Sequence, residues 1–368
     1  MINQESEKPY SPIQSIYPRL KFFLDNREIT RAFNKATRFT VDRKLTDPRL
    51  SSNPCGIFKK MDIALDFTDE YIFDDLYARF FPLVQANSLS GTNGTQILHV
   101  SYLSRDNIYR QFISLFIITM FFAYFFYFFF STLSYIFVFD KELMKHPKFL
   151  KNQIAKEIKL SAFGFPITSI VTVPWFLGEV RGYSALYDDI NQYGLLYAVF
   201  SIFGFLFFTD MCIYWIHRWL HHPLIYKHLH KAHHRWIIPT PFSSHAFHPL
   251  DGYLQSVPYH IFVYLFPLHK FLYISLFIFV NLWTIMIHDG EFLSTGTFVN
   301  GAAHHVLHHL YFNYNYGQYF TIWDKIGGSY RKPGVEQFDI KKKKDQNIWE
   351  KQATEVDSFD ENGKEKKA

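Results

Sequence analysis

Residues Tyr193 to His222 read YGLLYAVFSIFGFLFFTDMCIYWIHRWLHH, an apolar run to Ile216 that ends directly on His217, with His221 and His222 about one turn further on. One stretch therefore joins a length suited to crossing a bilayer, which takes roughly 20 apolar residues, to a cluster of imidazoles. Two more clusters follow before Tyr311, namely His230-Lys-Ala-His233-His234 and His304-His305-Val-Leu-His308-His309. On a helix, H-x3-H and H-x2-H spacings bring two rings onto one face, where they can converge on a shared ion. A single buried histidine is ordinarily a core residue. Three clusters beside apolar runs point instead to metal, because neutral imidazole is the commonest metal ligand.

The rest of the chain has to deliver these clusters to one place. Aromatic residues make up 20% of its 368 residues, with 42 Phe, far above ordinary soluble usage. Ile113 to Phe139 carries no charge and predicts a transmembrane helix. Ser161 to Gly178, containing Pro166 and Pro174, predicts a kinked span, and Tyr193 to Ile216 a third. Val257 to Ile287 is interrupted at Pro267-Leu-His269-Lys270. The third cluster meets the first two only if this stretch crosses an even number of times, so it reads as a tight or re-entrant helical hairpin. Lys141, Lys145, Lys148, Lys151, Lys156 and Lys159 follow the first span and mark the cytosolic side. The amino terminus is then lumenal, in keeping with a sequon at Asn93-Gly94-Thr95 and an acidic loop at Asp188 and Asp189.

The expected fold is an all-α integral membrane protein with about four transmembrane helices, the last a hairpin, capped by a cytosolic helical histidine-rich di-metal domain. Residues 1–110 form a polar region expected in the lumen, with a moderately amphipathic stretch from Phe58 to Val84; 111–216 hold the first three spans. Residues 208–330 form the catalytic region, including the hairpin 257–287, and 331–368 a charged cytosolic tail, solvated and without order. Lys364 and Lys366, near the end of that tail, match a dilysine retrieval signal, which a receptor reads from the cytosol.

Composition excludes several functions. The net charge of +5 is modest and no basic-aromatic patch appears, so nucleic acid is not an expected partner. Cys55 and Cys212 are too few for an iron-sulfur cluster, which takes about four cysteines, and Cys212 lies in an apolar run, against an internal disulfide. The His-Glu-x-x-His of zinc peptidases is absent, as are a Gly-x-Gly-x-x-Gly after a strand, a P-loop, a Cys-x-x-Cys-His and a flavin signature. The clusters offer more imidazoles than one ion can use, so two ions fit better. Imidazole alone suits zinc, copper, iron or nickel. An apolar frame at the bilayer surface suits a lipid whose reacting carbon is unactivated, and breaking that C–H bond calls for redox-active iron, oxygen and two electrons. The electrons must come from another protein, and the lysine-rich face either docks an acidic carrier or serves topology alone. Asp251 and Asp289 are expected as helix caps rather than ring-orienting carboxylates.

The order His217/His221/His222, His230/His233/His234, His305/His308/His309 resembles the fatty acid hydroxylase and sterol desaturase superfamily of non-haem di-iron membrane enzymes. Three strings are similar to the sterol C-5 desaturases within it: Pro239-Thr-Pro-Phe-Ser-Ser-His245-Ala-Phe-His248-Pro, Trp283-Thr-Ile-Met-Ile-His288-Asp-Gly, and Asn313-Tyr-Asn-Tyr-Gly-Gln-Tyr-Phe-Thr-Ile-Trp323-Asp324. The resemblance covers about Phe208 to Tyr330. It implies an oxidoreductase of the endoplasmic reticulum membrane, multi-pass with its site facing the cytosol, that uses O2 to introduce the C-5(6) double bond into a Δ7-sterol. It further implies two non-haem irons (Fe), electrons from NADH through cytochrome b5 and its reductase, and a place among other sterol-biosynthesis enzymes. The nine box histidines would hold the irons, with His288 a tenth ligand. His245 and His248 match family positions as well, and His304 could substitute for His305 or support it. The rival readings are a sterol C-4 methyl oxidase, a sphingolipid fatty acyl hydroxylase, and, from another class, a non-enzymatic metal-binding membrane protein or transporter.

Overall fold

The computed structural model of the chain describes residues 63–88, 95–291, 296–334 and 340–358. Asn93, Cys55, Lys364 and Lys366, and with them the sequon, one cysteine and the dilysine reading, lie outside these residues. Among the described residues four helices are long and apolar enough to cross a membrane: α3 (Ile108–Phe137), α4 (Gln153–Val180), α5 (Gly194–Leu220) and α9 (Lys270–His288). Before them come α1 (Ile63–Thr68), a π turn at Asp69–Phe73, α2 (Asp74–Phe80) and an antiparallel hairpin of β1 (Pro82–Ser88) and β2 (Thr95–Ser101). That hairpin departs from the all-helical expectation. The alternation of Val84 and Ala86 with Gln85 and Asn87 in the sequence favours a strand, and the pairing runs from Pro82 opposite Ser101 to Ser88 opposite Thr95. Arg110, buried at the start of α3, ties this region down through Asp69 at 2.7 Å and Asp74 at 2.5 Å.

The four long helices turn large side chains outward. Phe121, Phe200 and Phe203 are 63, 63 and 64% exposed, an arrangement that water penalises and hydrocarbon does not. This is a multi-pass membrane protein. α4 continues through both Pro166 and Pro174; neighbouring helices in a membrane re-satisfy the backbone groups that proline frees. Its first turns carry Lys156 and Lys159, so the loop between the first two spans is shorter than the sequence implies.

The hairpin is built from α8 (Pro249–Leu265) and α9, joined by β4 (Leu268–His269). β4 pairs in parallel with β3 (Leu186–Tyr187), in the loop between α4 and α5. His269 Nε2 donates to the Asp188 carbonyl at 2.8 Å, and Lys270 pairs with Asp188 at 2.6 Å. The tip thus reaches the loop on the side opposite the histidine clusters, so of the tight and the re-entrant hairpin expected the structure forms the first. Phe205, Phe262, Val263 and Val280 pack α5, α8 and α9 into one core.

On the other side the chain folds into short helices: α6 (Pro223–Tyr226), α7 (Lys231–His234), α10 (Ala302–Tyr311) and α11 (Ile322–Gly327), with α12 (Ile340–Lys343) and α13 (Gln346–Asp357) beyond. A 3-10 turn at Pro241–His245 packs among α3, α4 and α9. The tail is not featureless. Asp345 caps α13, and Trp349, 5% exposed, sits in a core with Phe139, Leu143, Ile238, Leu307 and Leu310. Charge on the outer face of this helix hides its single buried tryptophan from a reading by composition. Lys148 pairs with Asp357 and Lys344 with Asp140, so the tail straps the loop after α3.

Candidate metal centre

Each cluster sits where a helix ends or a short helix begins. His217 is in the last turn of α5 and His221 is its C-cap; His230 precedes α7, which carries His233 and His234; His288 ends α9; His305, His308 and His309 lie along α10. These elements bring nine histidines into two sets. One contains His217, His221, His230, His234 and His308; the other His233, His288, His305 and His309, with the ligand atoms of each set within 4.8 Å of one another. All are buried except His221, which is half-buried.

The assignment within the clusters follows helix geometry. Residues four apart differ by about 40° around a helix and share an ion; neighbours differ by about 100° and part. So His230 joins His234 and His305 joins His309, while the doublets His233/His234 and His308/His309 divide between the two sets. The H-x2-H pairs His230/His233 and His305/His308, expected to share an ion, are therefore split. His222 is not brought in at all. It is exposed and its Nδ1 accepts from the Leu224 amide, capping α6, because it follows His221 where α5 has already ended. His248 similarly caps α8. His245 hydrogen-bonds Ser244 Oγ at 2.9 Å and Asn281 Oδ1 at 3.3 Å outside both sets. His304 is buried against Tyr330, with neither ring nitrogen engaged.

The rings are oriented from behind. His217 Nδ1 donates to the Tyr316 carbonyl at 2.9 Å, His288 Nδ1 to the Thr284 carbonyl at 2.7 Å, and His308 Nδ1 to the Tyr314 carbonyl at 2.7 Å. His230 Nδ1 donates to Asp251 Oδ2 at 2.7 Å, both groups fully buried. Asp251 is thus a ring-orienting carboxylate, contrary to the cap expected; its other oxygen accepts from Gln255. Asp289 is the C-cap of α9, with its carboxylate accepting from the Glu291 amide.

These bonds decide what the site can hold. His217 and His230 each donate from Nδ1, which turns the Nε2 of each toward the other. The two Nε2 atoms are 3.0 Å apart. Imidazole nitrogens about 2.1 Å from a metal and at right angles to one another are about 3.0 Å apart. His221 and His234 meet at 3.1 Å, His288 and His305 at 3.0 Å, and His305 and His309 at 3.1 Å, all through Nε2. His308 Nε2 is buried with no protein partner. The residues fit two imidazole-ligated ions.

A segment that sequence reasoning recorded only as a family string performs the positioning. Residues 316–320 are clamped by two fully buried carboxylates. Asp210 accepts from the amides of Gln318, Tyr319 and Phe320 at 2.8, 2.6 and 3.2 Å. Asp324 accepts from those of Tyr316 and Gly317 at 2.8 and 2.9 Å and from Ser329 Oγ at 2.8 Å. The clamp fixes the carbonyl that orients His217. Gly317 suits the close approach, since a Cβ there would lie 2.5 Å from the Phe320 carbonyl oxygen. Burial, with three good hydrogen bonds opposing it, still raises the Asp324 carboxyl to about 6.

A cavity of about 490 Å³ with mainly apolar walls opens from the second set into the membrane domain. His217, His233, His288 and His305 stand at its head; Phe122, Phe126, Phe165 and Phe277 are among its walls.

Comparison with known proteins places this arrangement. The Fatty acid hydroxylase family model matches residues 202–329. A protein of Neurospora crassa named probable Delta(7)-sterol 5(6)-desaturase is 49% identical over 323 residues, covering 81% of this chain and 94% of its own. The chain belongs to the Delta(7)-sterol 5(6)-desaturase family. The Saccharomyces cerevisiae member is 44% identical over 342 residues, covering 81% and 94%, and human lathosterol oxidase is 62% identical over 233 residues, covering 62% and 78%. As a member of this family the chain is an oxidoreductase. No solved structure matches it.

Two predictions follow from the geometry. Asp251→Ala, which frees His230, lowers metal affinity about 10- to 100-fold, and Asp324→Ala does so through His217; chelator competition on the purified protein measures both. The second concerns pH. Burial, and after it the neighbouring imidazoles, hold His221, His233, His234, His305, His308 and His309 well below the usual histidine range. The unfolded chain protonates these rings near pH 6.5 while the folded chain does not, so stability falls as pH drops below about 6.5. Thermal melts of metal-free protein should show a decreasing midpoint from pH 7.5 to 5.5, and metal loading should raise it.

Proposed function

We propose that the chain introduces the C-5(6) double bond into a Δ7-sterol to give a 5,7-diene, using O2 and a pair of non-haem irons. The observation that carries this reading is the junction of nine converging imidazoles with a long apolar cavity that reaches into the bilayer. The names of the relatives supply the substrate class. Irons held in the two sets would supply, with oxygen and two electrons, the oxidising strength needed to remove two hydrogens from unactivated carbons.

The protein's own residues do the rest. The set His233, His288, His305 and His309 presents three of its four rings to the cavity, while only His217 of the five-membered set reaches it. The four-histidine site therefore faces the sterol and retains open positions; the five-histidine site stands behind it. Phe165, Phe247 and Phe277 line the space for the ring system and keep water from it. Asp251 and the carbonyls of Thr284, Tyr314 and Tyr316 keep His230, His288, His308 and His217 in the tautomer that ligates through Nε2.

Electrons come from NADH through cytochrome b5 and its reductase, docking on the face that carries Lys141, Lys145 and Lys151. This face lies on the cytosolic side of the endoplasmic reticulum membrane, as the basic loop after α3 and the terminal lysines support. Domain limits of 1–110, 111–216, 208–330 and 331–368 describe the lumenal region, the first spans, the catalytic domain and the tail.

Deleting the gene and restoring single variants tests this assignment through sterol mass spectrometry. Deletion should replace 5,7-diene sterols by Δ7-sterols. The intact chain and His222→Ala should restore them, the latter to within about twofold, because His222 only caps α6; removing a cap costs about 1 kcal/mol. His233→Ala and His221→Ala should restore none. Unchanged 5,7-dienes in the deletion strain, or accumulation of 4-methyl sterols instead, would contradict the proposal.

A further inference from the structure

In a sterol, one methylene separates the carbon that bears the 3-hydroxyl from C-5. When C-5 and C-6 lie against the four-histidine site, that hydroxyl must therefore be close to it. Along α9, Tyr273, Asn281 and Thr284 line the cavity at three depths, and the helix serves as a ruler at about 1.5 Å per residue. Tyr273 and Glu179, hydrogen-bonded at 3.1 Å, lie about 22 Å below His288 on this scale. Asn281 lies about 10 Å below it, with Nδ2 donating to the Phe277 carbonyl at 2.7 Å and Oδ1 bonded to His245 at 3.3 Å. Thr284 lies one turn below, about 6 Å, and is joined there by Gln318.

The hydrogen bonds fix how Gln318 presents itself. Thr284 Oγ1 donates its one proton to the Val280 carbonyl at 2.8 Å, so at its 3.1 Å contact with Gln318 Nε2 it accepts. The amide nitrogen is thereby assigned, and the carboxamide oxygen is left as an acceptor. Gln318 lines the cavity beside His217, His288 and His305. It is two residues from Tyr316, whose carbonyl orients His217, and it touches Thr284, whose carbonyl orients His288. Its backbone amide is held by Asp210 at 2.8 Å, so the residue is anchored both at its backbone and, through Thr284, at its amide nitrogen.

We infer that Gln318 Oε1 is the seat of the sterol 3-hydroxyl, with Thr284 holding the amide in register. This rests on the Δ7-sterol reading and adds to it the residue that recognises the hydroxyl and sets which carbons meet the metals. Gln318 is a binding residue here and Thr284 a positioning one.

The test uses metal-loaded protein in lipid nanodiscs and two probes, a 3β-hydroxy-Δ7-sterol and its 3-deoxy analogue, competed against a labelled sterol. The intact chain should bind the hydroxysterol about tenfold more tightly, the worth of one well-placed hydrogen bond. Gln318→Leu should bind both probes alike, and Thr284→Val should lose part of the preference, with bound metal unchanged in each. In turnover, Gln318→Leu should raise KM about tenfold for the hydroxysterol and leave the deoxy analogue unaffected. Retention of the full preference in Gln318→Leu would overturn the inference, as would its loss in Asn281→Leu alone. If the intact chain turns over no Δ7-sterol, the functional reading fails, and the binding ratio in Gln318→Leu still decides the seat.

Discussion

Two imidazoles that are each held at Nδ1 by a partner behind them, and whose Nε2 atoms meet at 3.0 Å, form an arrangement suited to a shared cation. His217 and His230 are in that position. Much of the surrounding structure can be understood as the apparatus that enforces it. Asp251 fixes one ring; the Tyr316 carbonyl fixes the other, and is itself fixed by Asp324. Burying so many polar atoms is costly unless each is engaged, and His308 Nε2, within the five-histidine set, is buried with no protein partner.

The membrane domain supplies the other half of the chemistry. α5 and α9 end on His217 and His288, so the helices that wall the cavity also deliver ligands to its head. The pairing of β3 with β4 at the far side, together with Lys270 and Asp188, locks the tip of the hairpin and with it the height of α9.

Much of this was legible in the sequence because it depends on short periods. Apolar runs declare the spans, and histidines four apart declare a shared ion. What escaped depends on facts that periodicity does not contain. The splitting of His233 from His234 and of His308 from His309 follows from the two separate sets into which the short helices turn neighbouring rings. The exclusion of His222 depends on α5 ending a residue earlier. Asp251, read as a cap, turns to His230 because α8 runs beneath the second cluster; Asp210 and Asp324 are more than a hundred residues apart and meet only across the 316–320 segment. The buried Trp349 shows the same limit, since one apolar residue among charges carries no pattern.

X-ray absorption at the iron edge of the iron-loaded protein addresses the central claim most directly. Two irons per chain, each in a shell dominated by imidazole nitrogen at about 2.1 Å with the outer scattering of whole rings, is the expected result for sets of five and four histidines. A single iron, or shells dominated by carboxylate oxygen, would contradict it.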